Sequence, residues 1–261
     1  MEEHHQQAIN EFLERFRDKK EFLGFLLAGS LAHGYAKPSS DVDIILVATE
    51  DEYRTREQQN KLTFSLWDIA QYEGGYVDCK VVSLDSLALI ADHGSDPARY
   101  AFKDAKILAS SDAGIVQLLE KVSRFPVEKK ADREHRFACQ LLAWKWYLSQ
   151  AEEKKNLYLT FLAAHKLVLF ACRLVLNHNL RLYPYHKWLL EEVNQSAHKP
   201  EGFREGIDQF LGQPTFDRAQ KIANALLEFL GLSEKQIDWP NQFMVDSELN
   251  WLGHEAPIDD L

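Results

Sequence analysis

Residues 27–47 read LAGSLAHGYAKPSSDVDIILV, and this stretch decides the fold. An apolar run, Phe22 to Ala28, ends at Gly29-Ser30. A loop with Gly34, Pro38, Ser39 and Ser40 follows, and a second apolar run, Ile44 to Val47, is headed by Asp41-Val42-Asp43. Both runs are short and suited to β-structure, so they are predicted as buried strands. Alternate residues of a strand share a face, so Asp41 and Asp43 project together while Val42 and Ile44 turn to the core. Two carboxylates side by side repel each other unless a cation sits between them. Such hard oxygen donors suit Mg²⁺, which keeps waters and also binds substrate phosphates. Gly29-Ser30, at a strand end and opening a helix, offers backbone N–H groups and a hydroxyl to a phosphate.

Working outward, Ile9, Phe12, Leu13 and Phe16 recur at helical spacing and predict an amphipathic helix over residues 2–19. His4 and His5 open it. Adjacent residues on a helix point apart, so they are expected as a solvated end rather than a metal pair. Thr49 to Lys61 is polar and reads as a connection with a short, exposed helix. Thr63 to Tyr72 is predicted as a strand and Gly74-Gly75 as a turn. Tyr76 to Val82 then alternates, with Val77, Cys79 and Val81 on one face and Tyr76, Asp78 and Lys80 on the other. Ser83 caps a helix through Ile90, and Pro97 suits the first turn of another. Residues 104–110 read as a last short strand, and Ser111-Asp112 opens a helix that Pro126 ends.

From Val127 the strand signals vanish. Residues 132–150, 156–176, 203–211, 216–230 and 234 onward read as helices, and 156–176 is apolar nearly all round, as suits the centre of a bundle. Its His165, Lys166 and Arg173 favour a buried helix over a membrane span, with His165 and Arg173 as internal hydrogen-bonding groups. The fold class is therefore α+β, a mixed sheet with helices over 1–125 followed by an all-α bundle over 126–261. Glu255, Asp259 and Asp260 make an acidic, loose tail.

A net charge of −10 argues against a general nucleic-acid binder, which needs a basic footprint. It suits a nucleotide delivered with magnesium and weakly favours a cationic acceptor. The three cysteines, Cys79, Cys139 and Cys172, lie far apart in apolar segments, as buried reduced thiols do. The polar, acidic opening MEEHHQQAINEF does not resemble a signal peptide, and a cytoplasmic location is expected.

Gly-Ser, a spacer of about ten residues and Asp-x-Asp, each against its own apolar run, resembles the nucleotidyltransferase superfamily that includes DNA polymerase beta. The motif covers Gly29-Ser30 and Asp41-Val42-Asp43. The resemblance implies a third carboxylate on the neighbouring strand, for which Asp78 is the candidate and Glu73 the substitute. It implies that Asp41, Asp43 and Asp78 hold one or two Mg²⁺ ions, with Asp78 as general base. Gly29, Ser30 and Ser40 are then placed at the nucleotide, with ATP or another nucleoside triphosphate as donor. The helical half resembles that of small-molecule nucleotidyltransferases acting on aminoglycosides, which implies that its 177–188 stretch faces the nucleotide. There Lys187 would meet phosphates, Tyr183 or Tyr185 a base, and Pro184 would start a helix. Glu134 is a second candidate base, with a salt bridge to Arg133 or Arg136 as its structural alternative. The implied activity is transfer of a nucleoside monophosphate to a small hydroxyl-bearing acceptor, an aminoglycoside-type antibiotic among them, by a monomer or homodimer. Transfer of AMP to a protein hydroxyl, and a nucleotide-binding regulatory or antitoxin-like role, remain as alternatives.

Overall fold

The computed structural model describes residues 1–253, 255–257 and 259. Asp260, counted above in the acidic tail, lies outside the described residues. The chain divides into two compact units, Met1–Arg124 and Phe125–Leu261.

The first unit runs α1 (Glu3–Phe16), β1 (Phe22–Leu27), α2 (Gly29–His33), β2 (Val42–Ala48), α3 (Glu50–Gln58), β3 (Thr63–Leu66), β4 (Val77–Ser83), α4 (Leu84–His93), α5 (Asp96–Tyr100), β5 (Lys106–Ser110) and α6 (Gly114–Val122). The sheet has five strands in the order β3-β4-β2-β1-β5. The β2–β4 pair is parallel and the others antiparallel, so the sheet is mixed, as expected. Both faces are covered. Ala8, Ile9, Phe12 and Phe16 of α1 pack with Phe25, Leu27, Val42, Ile44 and Leu46. On the other face Leu26, Ile45 and Val47 meet Leu87 of α4 and Ile115 and Val122 of α6. This explains why β1 and β2 read as continuous apolar runs, whereas β4, buried on one face and only partly covered on the other, alternates. At Gly24 of β1, Ile115 of α6 packs close, since a Cβ there would stand 2.6 Å from Ile115 Cδ1.

Local chemistry sets the ends. Ser83 Oγ accepts from Ser86 N–H at 3.1 Å and caps α4, while Ser95 caps α5 with Pro97 in its first turn. One expectation fails in length. The predicted strand 63–72 stops at Leu66, because Leu66 pairs with Val77, the first residue of β4, and beyond it no partner backbone remains.

The second unit contains α7 (Lys130–Glu153), α8 (Leu157–His178), α9 (Leu189–Asn194), α10 (Phe203–Gly212), α11 (Phe216–Leu230) and α12 (Trp239–Phe243). The α8 helix is long and apolar enough to cross a membrane by length and composition. Here Ala163, Leu167, Ala171, Leu174 and Val175 of α8 are packed in the unit's core with Leu141, Leu148, Ile207 and Leu226. Two differences from expectation appear. Pro184 starts no helix: residues 181–185 are irregular, Leu182 and Tyr183 are inserted in the core, and α9 begins only at Leu189. The helix expected from residue 234 breaks into a 3₁₀ turn, the short α12 and a π turn over 244–248. Its Pro240 suits only a first helical turn.

The core of the first unit gives a direct test. Leu46 is fully buried on the α1 face of β2. Leu46→Ala is expected to cost about 2–5 kcal/mol, read as a lowered midpoint in chemical denaturation, the loss combining transfer and cavity terms.

Candidate active site

The carboxylates gather at the N-terminal ends of two adjoining strands. Asp41 immediately precedes β2, Asp43 is its second residue, and Asp43 pairs in parallel register with Asp78 of β4. Val42 and Ile44 point to the α1 face and Ile45 to the other. By alternation Asp41 and Asp43 share the Ile45 face, and Asp78 joins them across the ladder. Ser65 of β3, opposite Asp78, donates its hydroxyl to Asp78 Oδ1 at 3.2 Å.

Gly29 closes the site from β1. Ala28 N–H donates to the Asp43 carbonyl at 2.9 Å, which ties the β1 end to the carboxylate strand. Gly29 then takes φ +61, and a Cβ built there would fall 1.7 Å from Asp43 Oδ2. Only a residue without a side chain lets backbone lie against that carboxylate. Next in sequence, Ser30 is 6% exposed, and its Oγ is buried without a hydrogen-bond partner. An unsatisfied buried hydroxyl costs about 1–3 kcal/mol, so its retention here needs a reason.

Together these features fit a hard cation carrying a phosphate. The donors are all oxygen, two of them share one register position, and a buried hydroxyl awaits an acceptor. Among the described residues no three His, Cys, Asp or Glu side chains close into a ready-made metal cage. Mg²⁺ does not need one, since it is held through one or two carboxylates with waters and substrate phosphates.

Residues to which the sequence assigned no role there adjoin the site. The Tyr76 phenol is pushed up to about 12, first by interaction of its hydroxyl with the Asp41 carboxylate, then by burial and by the charges of Asp41, Asp78 and Asp43. Trp67 stacks on Tyr76 with ring centroids 4.5 Å apart. His5 is wholly buried, not solvated, and bonds to the Ser40 carbonyl, while His4 bonds to that of Pro38. The expected solvated histidine end is therefore overturned: both rings pack on Tyr72 instead. Nothing in a single sequence marks the histidine and Tyr72 hydrogen bonds, because each spans more than thirty positions, the Ser40–Tyr72 separation being 32. Ser40 itself forms a local turn, its Oγ accepting from Lys37 N–H at 2.9 Å. Glu73, beside the Gly74 turn, lies outside the strands.

The helical unit holds the other candidates. Tyr183 is only 5% exposed, with the Arg173 guanidinium 4.8 Å from its ring and its phenol pushed up to about 12 by burial. Its ring therefore presents no open face for a base, and the open ring of that stretch is Tyr185, at 59% exposure. Lys187 is exposed, with Nζ 5.1 Å from the Trp188 ring. Glu134 stands 3.9 Å from Lys130, one turn earlier on α7, and Arg136 is engaged by Asp246. His165 bonds its own helix, at the Phe161 carbonyl.

A mixed sheet with a Gly-Ser turn against a paired aspartate is the arrangement that the resemblance to nucleotidyltransferases implies. Residues 9–85, from within α1 to the start of α4, match the sequence model described as the nucleotidyltransferase domain. Among solved structures the chain is similar to a nucleotidyltransferase-like protein from Exiguobacterium sibiricum 255-15, at 12% identity and a TM-score of 0.48, over 94% of this chain and 80% of that one. It is also similar to spectinomycin adenyltransferase AAD(9) from Enterococcus faecialis, solved with ATP and spectinomycin, at 13% identity and a TM-score of 0.37, over 85% of this chain and 98% of that one. No curated protein matches the chain.

Two outcomes are expected from this geometry. Gly29→Ala must displace the Asp43 carboxylate and hold alanine at positive φ, so it should lower stability by roughly 1–3 kcal/mol in denaturant titration. In an alkaline spectrophotometric titration, Tyr76 and Tyr183 should ionise last, near pH 12. Both folded values lie above the ordinary 10, so the stability they contribute is complete below pH 10 and is lost as pH rises through 12. Tyr76→Phe should remove one phenol from that last step and leave the other.

Proposed function

We propose that the protein is a Mg²⁺-dependent nucleotidyltransferase that moves AMP from ATP to a hydroxyl of a small acceptor and releases pyrophosphate. The observation that carries this reading is the Asp43–Asp78 register, with the Gly29 backbone pressed on one carboxylate and the unpartnered Ser30 hydroxyl beside it. Asp41, Asp43 and Asp78 are the residues that would hold one or two Mg²⁺ ions. When bound, the metal supplies positive charge against that developing on the attacking and leaving oxygens.

The chain's own groups divide the remaining work. Ser30 donates its hydroxyl to a terminal phosphate oxygen, with the Gly29 backbone beside it; the Ser40 backbone, expected there too, is engaged within its own loop, its N–H at the Lys37 carbonyl and its carbonyl with His5 and Tyr72. Asp78 is the proposed base: Ser65 occupies Oδ1, which orients the carboxylate and directs Oδ2 to the acceptor proton. As that proton leaves, the acceptor oxygen bonds to the α-phosphorus and the bond to pyrophosphate breaks, in line.

The acceptor is read as a small cationic molecule of the aminoglycoside-antibiotic type, whose approach a chain of charge −10 favours. The same charge repels a nucleic-acid backbone, and neither nucleic acid nor membrane enters as a partner. All three cysteines are free and buried, which suits the reducing cytoplasm.

Thermal unfolding with Mg²⁺ and ATP tests the site. Ligand at a hundred times its dissociation constant adds about 2.7 kcal/mol, which should raise the wild-type midpoint and leave Asp43→Asn unmoved. Pyrophosphate release over a panel of aminoglycosides then tests the acceptor. Appreciable turnover by Asp43→Asn would sink the metal-site assignment.

A further inference from the structure

We infer that His5 and Tyr72 are positioning residues, two hydrogen-bond donors that lock the peptide plane from which Asp41 emerges. The Ser40 carbonyl accepts from Tyr72 Oη at 2.8 Å and from His5 Nε2 at 3.1 Å. A carbonyl oxygen has two lone pairs, and here both have a partner. The Ser40 carbonyl and the Asp41 amide belong to one rigid plane, so fixing that oxygen fixes the direction in which the Asp41 chain leaves. The next link, Val42 N–H, donates to the Tyr76 carbonyl at 3.0 Å, so the segment is held on both sides of Asp41.

The proton on His5 can be placed. Glu2 N–H donates to His5 Nδ1 at 3.1 Å, so Nδ1 carries no hydrogen and Nε2 is the donor. Burial, then the neighbouring His4 charge, lowers the His5 pKa and favours this neutral form. His4 adds a third anchor at the Pro38 carbonyl, 2.8 Å away, and its ring lies 4.3 Å from that of Tyr72. The loop thus receives three side-chain bonds from two elements distant in sequence. A hydrophobic contact would fill the same space without choosing the orientation of a carbonyl, whereas two donors do choose it. The Asp41 charge also raises the Tyr72 phenol, after burial, so this clamp lies within electrostatic reach of the carboxylate.

This inference deepens the metal-site reading and rests on it for its consequence, though the clamp itself does not. The full-length protein without ligand is compared by amide hydrogen exchange for wild type, His5→Leu, His5→Gln and Tyr72→Phe, and each is titrated with Mn²⁺ as a paramagnetic probe. Loss of one donor should speed exchange of residues 39–43 by about tenfold and weaken Mn²⁺ binding several-fold, with α7 and α8 protection unchanged. Glutamine keeps a donor near the Nε2 position, so His5→Gln should recover most of both. Wild-type exchange over 39–43 in His5→Leu and Tyr72→Phe would overturn the clamp, as would His5→Gln behaving like His5→Leu. Should His5→Leu fail to fold, Tyr72→Phe, which removes one hydroxyl and no packing, decides alone. A wild type that binds neither Mn²⁺ nor Mg²⁺-ATP defeats the site reading, and the exchange result still judges the clamp.

Discussion

Two carboxylates at one register position, Asp43 and Asp78, are the constraint around which the first unit is built. Their charges repel, and nothing in the local chain compels them together. What holds them is the parallel β2–β4 ladder, seven residue pairs from Val42↔Val77 to Ala48↔Ser83. That ladder in turn depends on burial. Val42, Ile44 and Leu46 are sealed by α1 and Ile45 and Val47 by α4 and α6, so a shift of one residue would move every one of them to the wrong face. The apolar energy of the sheet thus sustains an arrangement of like charges that is electrostatically unfavourable.

Around this pair, polar groups do the fine positioning. Gly29 brings backbone where any side chain would collide with Asp43. Ser65 orients Asp78 from the edge strand, Tyr76 engages Asp41, and His5 with Tyr72 fixes the plane before Asp41. Each is a single contact of modest strength, but they converge from α1, β3 and the 67–76 loop on one strand end. Such a site tolerates the loss of stability represented by the buried, unpartnered Ser30 hydroxyl, as functional sites commonly do.

The helical unit illustrates the opposite balance. Arg173 lies 4.3 Å from the Phe137 ring and 4.8 Å from Tyr183, so its guanidinium is drawn into the unit's own packing. Arg181 pairs with buried Glu192 and tethers the irregular 181–188 stretch to α9. Leu182 and Tyr183 fill the core while Tyr185 and Lys187 stay outside. Four residues of one polar-aromatic run therefore have two different fates, set by which side of the chain the core lies on.

The fold class was legible from residues 22–47 and 76–83 because strand periodicity and burial are local properties: continuous apolar runs for β1 and β2, alternation for β4, and a cap at Ser83. The candidate carboxylates were legible for the same reason, since a strand's two-residue repeat places Asp41 with Asp43 and sets Asp78 opposite the core. Tertiary structure alone decided the rest. It joined Asp43 to Asp78 by a ladder, ended β3 where its partner ended, buried Tyr183, and turned His5 from an expected solvated end into a donor to the Ser40 carbonyl. Those outcomes depend on contacts between residues far apart in the chain. Composition and periodicity describe what a segment prefers, but which carbonyl a histidine reaches is settled only when the whole core has closed.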